Sequence, residues 1–237
     1  MSTAADPPTP VQAFPETRSQ WIAECLSDGD GGMSVANVYL MENYLRPLTT
    51  YCRAIDLGKS VRRECDELVH EFFADRLGDP EYLKSWLASK LRLRNWLRNG
   101  LHLYVHELRR AERAHAGELV SHDELAADIS DQDQVFERAW AKSALDLAIK
   151  EAIRRLEAKG RRSEWDIFWL HHIQGLPHAK LGEMHKLSPA QVAQRVFAVA
   201  EQLRSILAGI LRRDGVLVSE VDFELRTMME AMHESRP

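Results

Sequence analysis

Cysteine is scarce in this chain. Three cysteines in 237 residues, with no C-x-x-C pair, predict neither a disulfide framework nor a cysteine zinc site, and a reducing cytosol suits them. Long apolar runs are missing too: nothing approaches the roughly 20 residues that span a bilayer, so no membrane partner is expected. The opening "MSTAADPPTPVQAFPE" has no basic n-region and no apolar h-region, which excludes a signal peptide. Its four prolines in fifteen residues predict a disordered tail over 1–16. P-loop, G-x-G-x-x-G and G-x-S-x-G signatures are absent, so the common nucleotide and hydrolase chemistries have no residues to carry them. Strand-type alternation is nearly absent as well. A net charge of −5 argues against a wholly basic, DNA-coating protein, but leaves room for a binder whose charge is concentrated in one segment.

Helical periodicity is what the chain has in quantity. In "MSVANVYLMENYLRPLTTYCRAI", Val35, Val38, Tyr39, Met41, Tyr44 and Leu45 fall at helical spacing, and Pro47 predicts a kink or boundary. "SVRRECDELVHEFFADRL" follows, with Ser60 as N-cap and Leu68, Phe72 and Phe73 toward a core. "PEYLKSWLASKLRLRNWLRNGLHLYVHELRRAERAH" predicts one or two helices, with Gly100 as the interruption. Residues 117–137 then carry seven acidic residues and no Lys or Arg, the composition of a linker. Helical pattern resumes from 134 to Gly160, and again in "SEWDIFWLHHIQG", capped by Ser163 and closed by Gly175. The expected fold is all-α: two small helical domains, 17–116 and 137–213, joined by an acidic linker over 117–136. A C-terminal tail over 214–237 adds at most one helix.

Two segments carry functional chemistry. Between Lys84 and His115 stand Lys84, Lys90, Arg92, Arg94, Arg98, Arg109, Arg110 and Arg113 against Glu107 and Glu112, which is 8 − 2 = +6. Trp86, Trp96 and Tyr104 are interleaved with them. Cations release counterions from phosphates and aromatic faces stack on unpaired bases, so the combination suits nucleic-acid contact. The alternative is a solvated basic helix whose aromatics belong to the core. The second segment, "GLPHAKLGEMHKLSPAQVAQRV" (175–196), has the outline of a helix-turn-helix. Leu181, Leu187, Val192 and Val196 supply its core, and Gly182 allows close approach. Ser188, Pro189 and Gln191 form a compact helix start with a capping box. Gln191, Gln194, Arg195, Ala198 and Gln202 are expected to be exposed for base contact, with His178, Lys180 and Lys186 near phosphates. A helical hairpin packing on protein remains the other reading. His102 and His106 have the i, i+4 spacing of a helical metal pair, and His171, His172, His178 and His185 cluster, but no H-E-x-x-H pattern accompanies them. No metal, cofactor or catalytic residue is expected.

The order of these elements resembles the extracytoplasmic-function (ECF) sigma factors of bacteria, closest to their planctomycete-type sub-group. "ELVHEFFADRL" (67–77) is similar to that family's "DLVQEFFARLL" element. Residues 134–160 resemble the Trp-containing first helix of its region four, 175–196 its helix-turn-helix, and "EVDFELRTMMEAM" (220–232) its C-terminal tail. The resemblance spans about 17–232. It implies a non-enzymatic subunit that binds core RNA polymerase, recognises promoter DNA at −10 and −35 elements, helps melt it, and can be held by an anti-sigma protein. By position, Glu67, Leu68, Glu71, Phe72 and Phe73 would lie on or behind the polymerase-docking surface. Lys90, Arg92, Arg94, Asn95, Trp96, Arg98 and Asn99 would face the −10 element. His178, Lys180, Lys186, Ser188, Gln191, Gln194 and Arg195 would serve the −35 element.

Departures from the family pattern are specific. His70 stands where Gln is usual, and His185–Lys186 replace Leu-Gly in the turn, so Lys186 is expected to adopt a left-handed conformation. Ala193, Ala198 and Ala200 stand where relatives carry basic or polar groups, which puts −35 affinity in question. Competing readings are a diverged relative that binds polymerase or a regulator with weak DNA reading, and a stand-alone dimeric helix-turn-helix regulator. A metal-dependent enzyme built on the histidine clusters is a third.

Overall fold

The computed structural model describes residues 20–55, 64–115 and 129–233. Among these residues the fold is all-α. The first group of helices is α1 (Gln20–Ser27), α2 (Gly29–Ala54), α3 (Cys65–Phe72), α4 (Pro80–Ala88) and α5 (Leu93–His115). The second is α6 (Ile129–Ala158), α7 (Arg162–His172), α8 (His178–His185), α9 (Pro189–Arg213) and α10 (Val221–His233). No helix of the described residues is long and apolar enough to cross a membrane.

The apolar face of α2 matches the expected one in part: Tyr44 is buried and Tyr39 and Leu45 pack against the core, but Val35, Val38 and Met41 do not. Ala36, Leu40, Tyr44, Leu48 and Cys52 recur every four residues and are fully buried. Val35 and Val38 are 63% and 54% exposed. Pro47 neither ends nor divides the helix. It is itself buried, and packing along α6 outweighs the backbone bond its ring removes. The two helices run antiparallel: Tyr51 meets Phe136 (ring centroids 5.8 Å apart), whereas Arg46 reaches Asp146.

Gly100 does not interrupt α5; the break falls earlier, between Ala88 and Leu93. A side chain at Gly100 would run into the Tyr82 hydroxyl and the Phe72 ring, so glycine here serves close packing of α5 on α3 and α4. Helix α6 begins at Ile129, five residues before the expected start at 134, so the last eight positions of the expected linker are helical. The remainder of that linker, like the tail over 1–16 and Ser60, lies outside the described residues. Ser163 falls inside α7 and caps nothing. Gly160 and Gly175 do close α6 and α7, at φ +66 and +70.

One core crosses the boundary expected between domains. Ile22, Leu40, Tyr44, Leu68, Phe72, Leu97 and Leu101 from the first half share it with Phe136, Trp140, Ala148, Leu211, Val221 and Met228 from the second. The helix-turn-helix has its own small core of Ile167, Leu181, Val192 and Val196, with Leu187 packed against it. Leu156, Trp165 and Val199 link that unit to the end of α6.

Candidate nucleic-acid interface

The basic segment is shaped by residues that lie outside it in the sequence, Asp214 above all. Helix α5 starts without a local N-cap side chain, and Asp214, at the end of α9, takes that place. The Asp214 carbonyl accepts from the Leu93 N–H (2.8 Å), and its carboxylate accepts from the Arg94 N–H (2.7 Å) and the Tyr44 hydroxyl (2.9 Å). A buried carboxylate at a helix N-terminus satisfies orphan donors and complements the helix dipole.

The Arg94 side chain closes the same arrangement. Its guanidinium donates to Asp214, to Glu137 (2.9 Å) and to Glu224, and lies over the Trp140 ring at 4.3 Å. Arg94 is 3% exposed and Asp214 is fully buried. Burial works against the Arg94 charge, but Asp214, Glu137 and Glu224 outweigh it and hold the guanidinium protonated beyond its ordinary range. Burial pushes the Asp214 and Glu137 carboxyls up, against the pull of Arg94. Arg94 is therefore a hub of the core and not a surface contact for DNA, contrary to expectation.

Other members of the expected −10 group are spent to different degrees. Arg92 donates to Glu224 (2.7 Å) and lies 4.0 Å from Glu220. Arg98 pairs with Asp133 at 3.1 Å and sits near the Phe136 ring. Asn95 and Trp96 are half-buried, with Trp96 packed on Tyr82 at 5.6 Å. Lys90 and Asn99 are exposed. Trp86 and Tyr104 belong to the core, Trp86 donating to the Leu91 carbonyl at 3.0 Å. Counting charge within 84–115 misses this, because Asp133, Glu137, Asp214, Glu220 and Glu224 all lie outside that window.

The helix-turn-helix forms as its local chemistry requires. Ser188 caps α9 by accepting from the Gln191 N–H (3.2 Å), and the Gln191 side chain accepts from the Ser188 N–H (2.8 Å). Pro189 opens the helix. A Cβ at Gly182 would stand 2.5 Å from the Leu187 carbonyl oxygen, so the turn can close only over glycine. Lys186 is left-handed, φ 55 and ψ 46, the one non-glycine residue with positive φ among the described residues. Lys186→Gly is expected to stabilise the protein by about 1 kcal/mol, read as an upward shift of the urea midpoint.

The outward face of α9 differs from the expected set. Gln194 and Ala198 are exposed as expected, and Gln191 is exposed with its carbonyl already committed to the cap. Arg195 is half-buried, and Gln202 donates to the Ala152 carbonyl (3.2 Å), held against α6. Phe197, passed over in the sequence, is 67% exposed beside Gln194, on the side of the helix away from the Val192–Val196–Val199 core. Lys180, Lys186 and Ser188 are exposed. His178 is half-buried, its ring 4.3 Å from that of His171. On α3, Glu67 and Glu71 face solvent while Leu68, Phe72 and Phe73 are buried behind them.

The histidine pair on α5 does converge. Nε2 of His106 and of His102 are 3.0 Å apart, and His102 Nδ1 meets the Tyr51 hydroxyl at 3.2 Å. No group of three metal-ligating side chains is brought together among the described residues. Burial, then His106, hold His102 below its ordinary 6.5, with Asp133 opposing and Arg98 and Arg109 reinforcing. A depressed histidine contributes stability that is full above the unfolded value and is lost as pH falls below it. Wild type should therefore lose stability as pH falls below about 6.5, and His102→Gln should flatten that part of a denaturation-versus-pH profile.

Compared with protein-family models, with curated proteins and with solved structures, the chain finds no match in any of the three. Its functional reading rests on its own residues.

Proposed function

We propose that this chain is a promoter-specificity subunit that binds core RNA polymerase and directs transcription initiation. The observation that carries the reading is the capped helix-turn-helix of α8 and α9, in one chain with a helix that exposes Glu67 and Glu71 over a buried Leu68–Phe72–Phe73 backing. The first is a shape suited to the major groove; the second is an acidic surface suited to a basic patch on the polymerase. Gln194, Lys180 and Lys186 are among the exposed side chains available for base and phosphate contact, with Arg195 at the edge. In this reading an anti-sigma protein would hold the factor inactive, and no enzymatic step or cofactor is involved.

The engaged state of Arg92 and Arg98 bears on mechanism. Each is tied to a carboxylate outside α5, so engaging −10 phosphates through them means exchanging Glu224, Glu220 and Asp133 for DNA. Lys90 and Asn99 are exposed beside them. Co-purification with core polymerase tests the reading. The expected result is a stoichiometric complex that survives gel filtration; failure to associate at micromolar concentration would overturn it.

A second reading is favoured by Phe197. An exposed aromatic among Ala190, Gln194 and Ala198, with Glu201 one turn on, is a poor face for a polyanion. It suits a protein partner and a factor that binds polymerase while reading DNA weakly. Phe197→Ala separates the two: lost regulator or polymerase binding supports the second reading, and lost −35 preference alone supports the first.

A further inference from the structure

The cations of α6 escaped the sequence reading because they are spread over twenty positions among acids and alanines. On the folded helix, Arg138, Lys142, Asp146, Lys150 and Arg154 stand at successive i, i+4 positions, a stripe that winds about 40° per step and so about 160° round α6 over its length. Lys142, Lys150 and Arg154 are exposed, and Arg138 is half-buried. Two clefts flank α6, each of about 670 Å3. The first is lined by Arg46, Arg138, Lys142 and Asp146, among others. In the second, Lys150, Arg154 and Arg155 face Arg212 and Arg213, with Glu42 and Glu151 as the acids.

The charge balance of the two clefts is decisive. Eight cations line them (Arg46, Arg138, Lys142, Lys150, Arg154, Arg155, Arg212 and Arg213) against Glu42, Asp146 and Glu151, which is 8 − 3 = +5 in a protein of −5. Glu151 accepts from both Arg154 (2.7 Å) and Arg155 (2.6 Å), so one carboxylate is shared by two guanidiniums. Those bonds hold its carboxyl down at about 2. Arg46 lies 3.9 Å from Asp146 and is 78% exposed. Arg138, Lys142 and Lys150 form no ion pair among the described residues. Gly209, with open space where a Cβ would stand, and Ser205 contribute only small side chains to the second cleft.

We infer that the α6 ridge and its two flanking clefts form a docking track for a nucleic-acid backbone. From Arg138 to Arg154 the helix rises about 24 Å, which matches about seven phosphates of one strand at ~3.4 Å per step. Arginine predominates, the side chain that grips phosphate through paired donors. The exposed members of the stripe, Lys142, Lys150 and Arg154, are charged, above cleft walls that also carry apolar side chains such as Leu147, Ile206 and Ile210. Interfaces with nucleic acid are strongly positive. This surface is separate from the helix-turn-helix face, its Arg138 end borders Asn95 and Arg98 of α5, and the inference does not rest on the promoter reading.

Fluorescence anisotropy without polymerase tests it, using a random-sequence 20-nucleotide single strand and the matching duplex over a range of salt. Wild type should bind at low salt with an affinity falling steeply as salt rises. The triple variant Lys142→Glu/Lys150→Glu/Arg154→Glu should bind at least tenfold more weakly, with a log–log salt slope reduced by about 2 to 3. Whichever of strand and duplex loses more identifies the form that docks. All three side chains are exposed, so helix content by circular dichroism should be unchanged. If the triple variant does not fold, Lys142→Gln and Lys150→Gln singly should each lower the slope by about one. An unchanged slope, no binding by wild type at low salt, or equal affinity for polyglutamate would each overturn the inference. Because polymerase is absent, this failure is distinct from a failure to bind polymerase.

Discussion

Arg94→Ala is expected to cost the fold about 3–5 kcal/mol, the typical penalty for removing one partner of a buried ion cluster. The reason is asymmetry. With the guanidinium gone, Asp214 is left fully buried with no cation beside it, and Glu224, almost as buried, keeps only Arg92; Glu137, about one-third exposed, loses less. The Trp140 ring loses the cation over its face as well. Arg94→Lys should recover only part of the loss, because an ammonium cannot reach three carboxylates and an aromatic face with a planar fork. Asp214→Asn should cost less than Arg94→Ala, since an amide oxygen still accepts from the Arg94 N–H and the Tyr44 hydroxyl. Urea denaturation followed by circular dichroism reads all three. A wild-type midpoint for Arg94→Ala would show that the hub is not what joins α5 to α6, α9 and α10.

The second large effect concerns α3. Phe72→Ala should destabilise by about 3–5 kcal/mol, because Phe72 is fully buried and its ring meets Phe73, Tyr82 and Tyr104 at centroid distances of 6.0, 6.3 and 5.8 Å. Glu71→Lys, one residue earlier and exposed, should change the unfolding free energy by no more than about 1 kcal/mol, the range of a surface ion pair. In the proposed reading the same charge reversal weakens association with core polymerase by tenfold or more. Stability and association are thereby separated on adjacent residues. A Glu71→Lys variant that binds polymerase as well as wild type would remove α3 from the docking surface.

These expectations mark where the sequence was legible. Local chemistry read correctly: Ser188, Pro189 and Gln191 predicted the cap at α9, Lys186 the left-handed turn, and Gly160 and Gly175 the ends of α6 and α7. Each depends on neighbours within a few positions, and such signals survive folding. Leu68, Phe72 and Phe73 were also legible, because three apolar groups among acids have one side to turn inward.

Long-range partners were not legible. Arg94 read as a DNA contact because the carboxylates that claim it lie 43, 120 and 130 positions away. Gly100 read as a helix break because only the packed structure brings the Tyr82 hydroxyl against it. The apolar stripe of α2 was legible at Tyr39, Tyr44 and Leu45 but not at its start, since Val35 and Val38 are as apolar in sequence as Leu40, yet Ala36 is the residue that is buried. Phe197 was passed over for the opposite reason: an aromatic near Val196 looks like core until the register of α9 is fixed. The α6 stripe stayed hidden because a window sums its acids with its bases, whereas on the helix its cations recur four apart with only Asp146 among them.

Run-off transcription from genomic fragments, with core polymerase and this chain as the added factor, tests the central claim most directly. The account predicts discrete promoter-dependent transcripts that appear only when both are present. Stable association with polymerase but no promoter-dependent transcript from any fragment would contradict it.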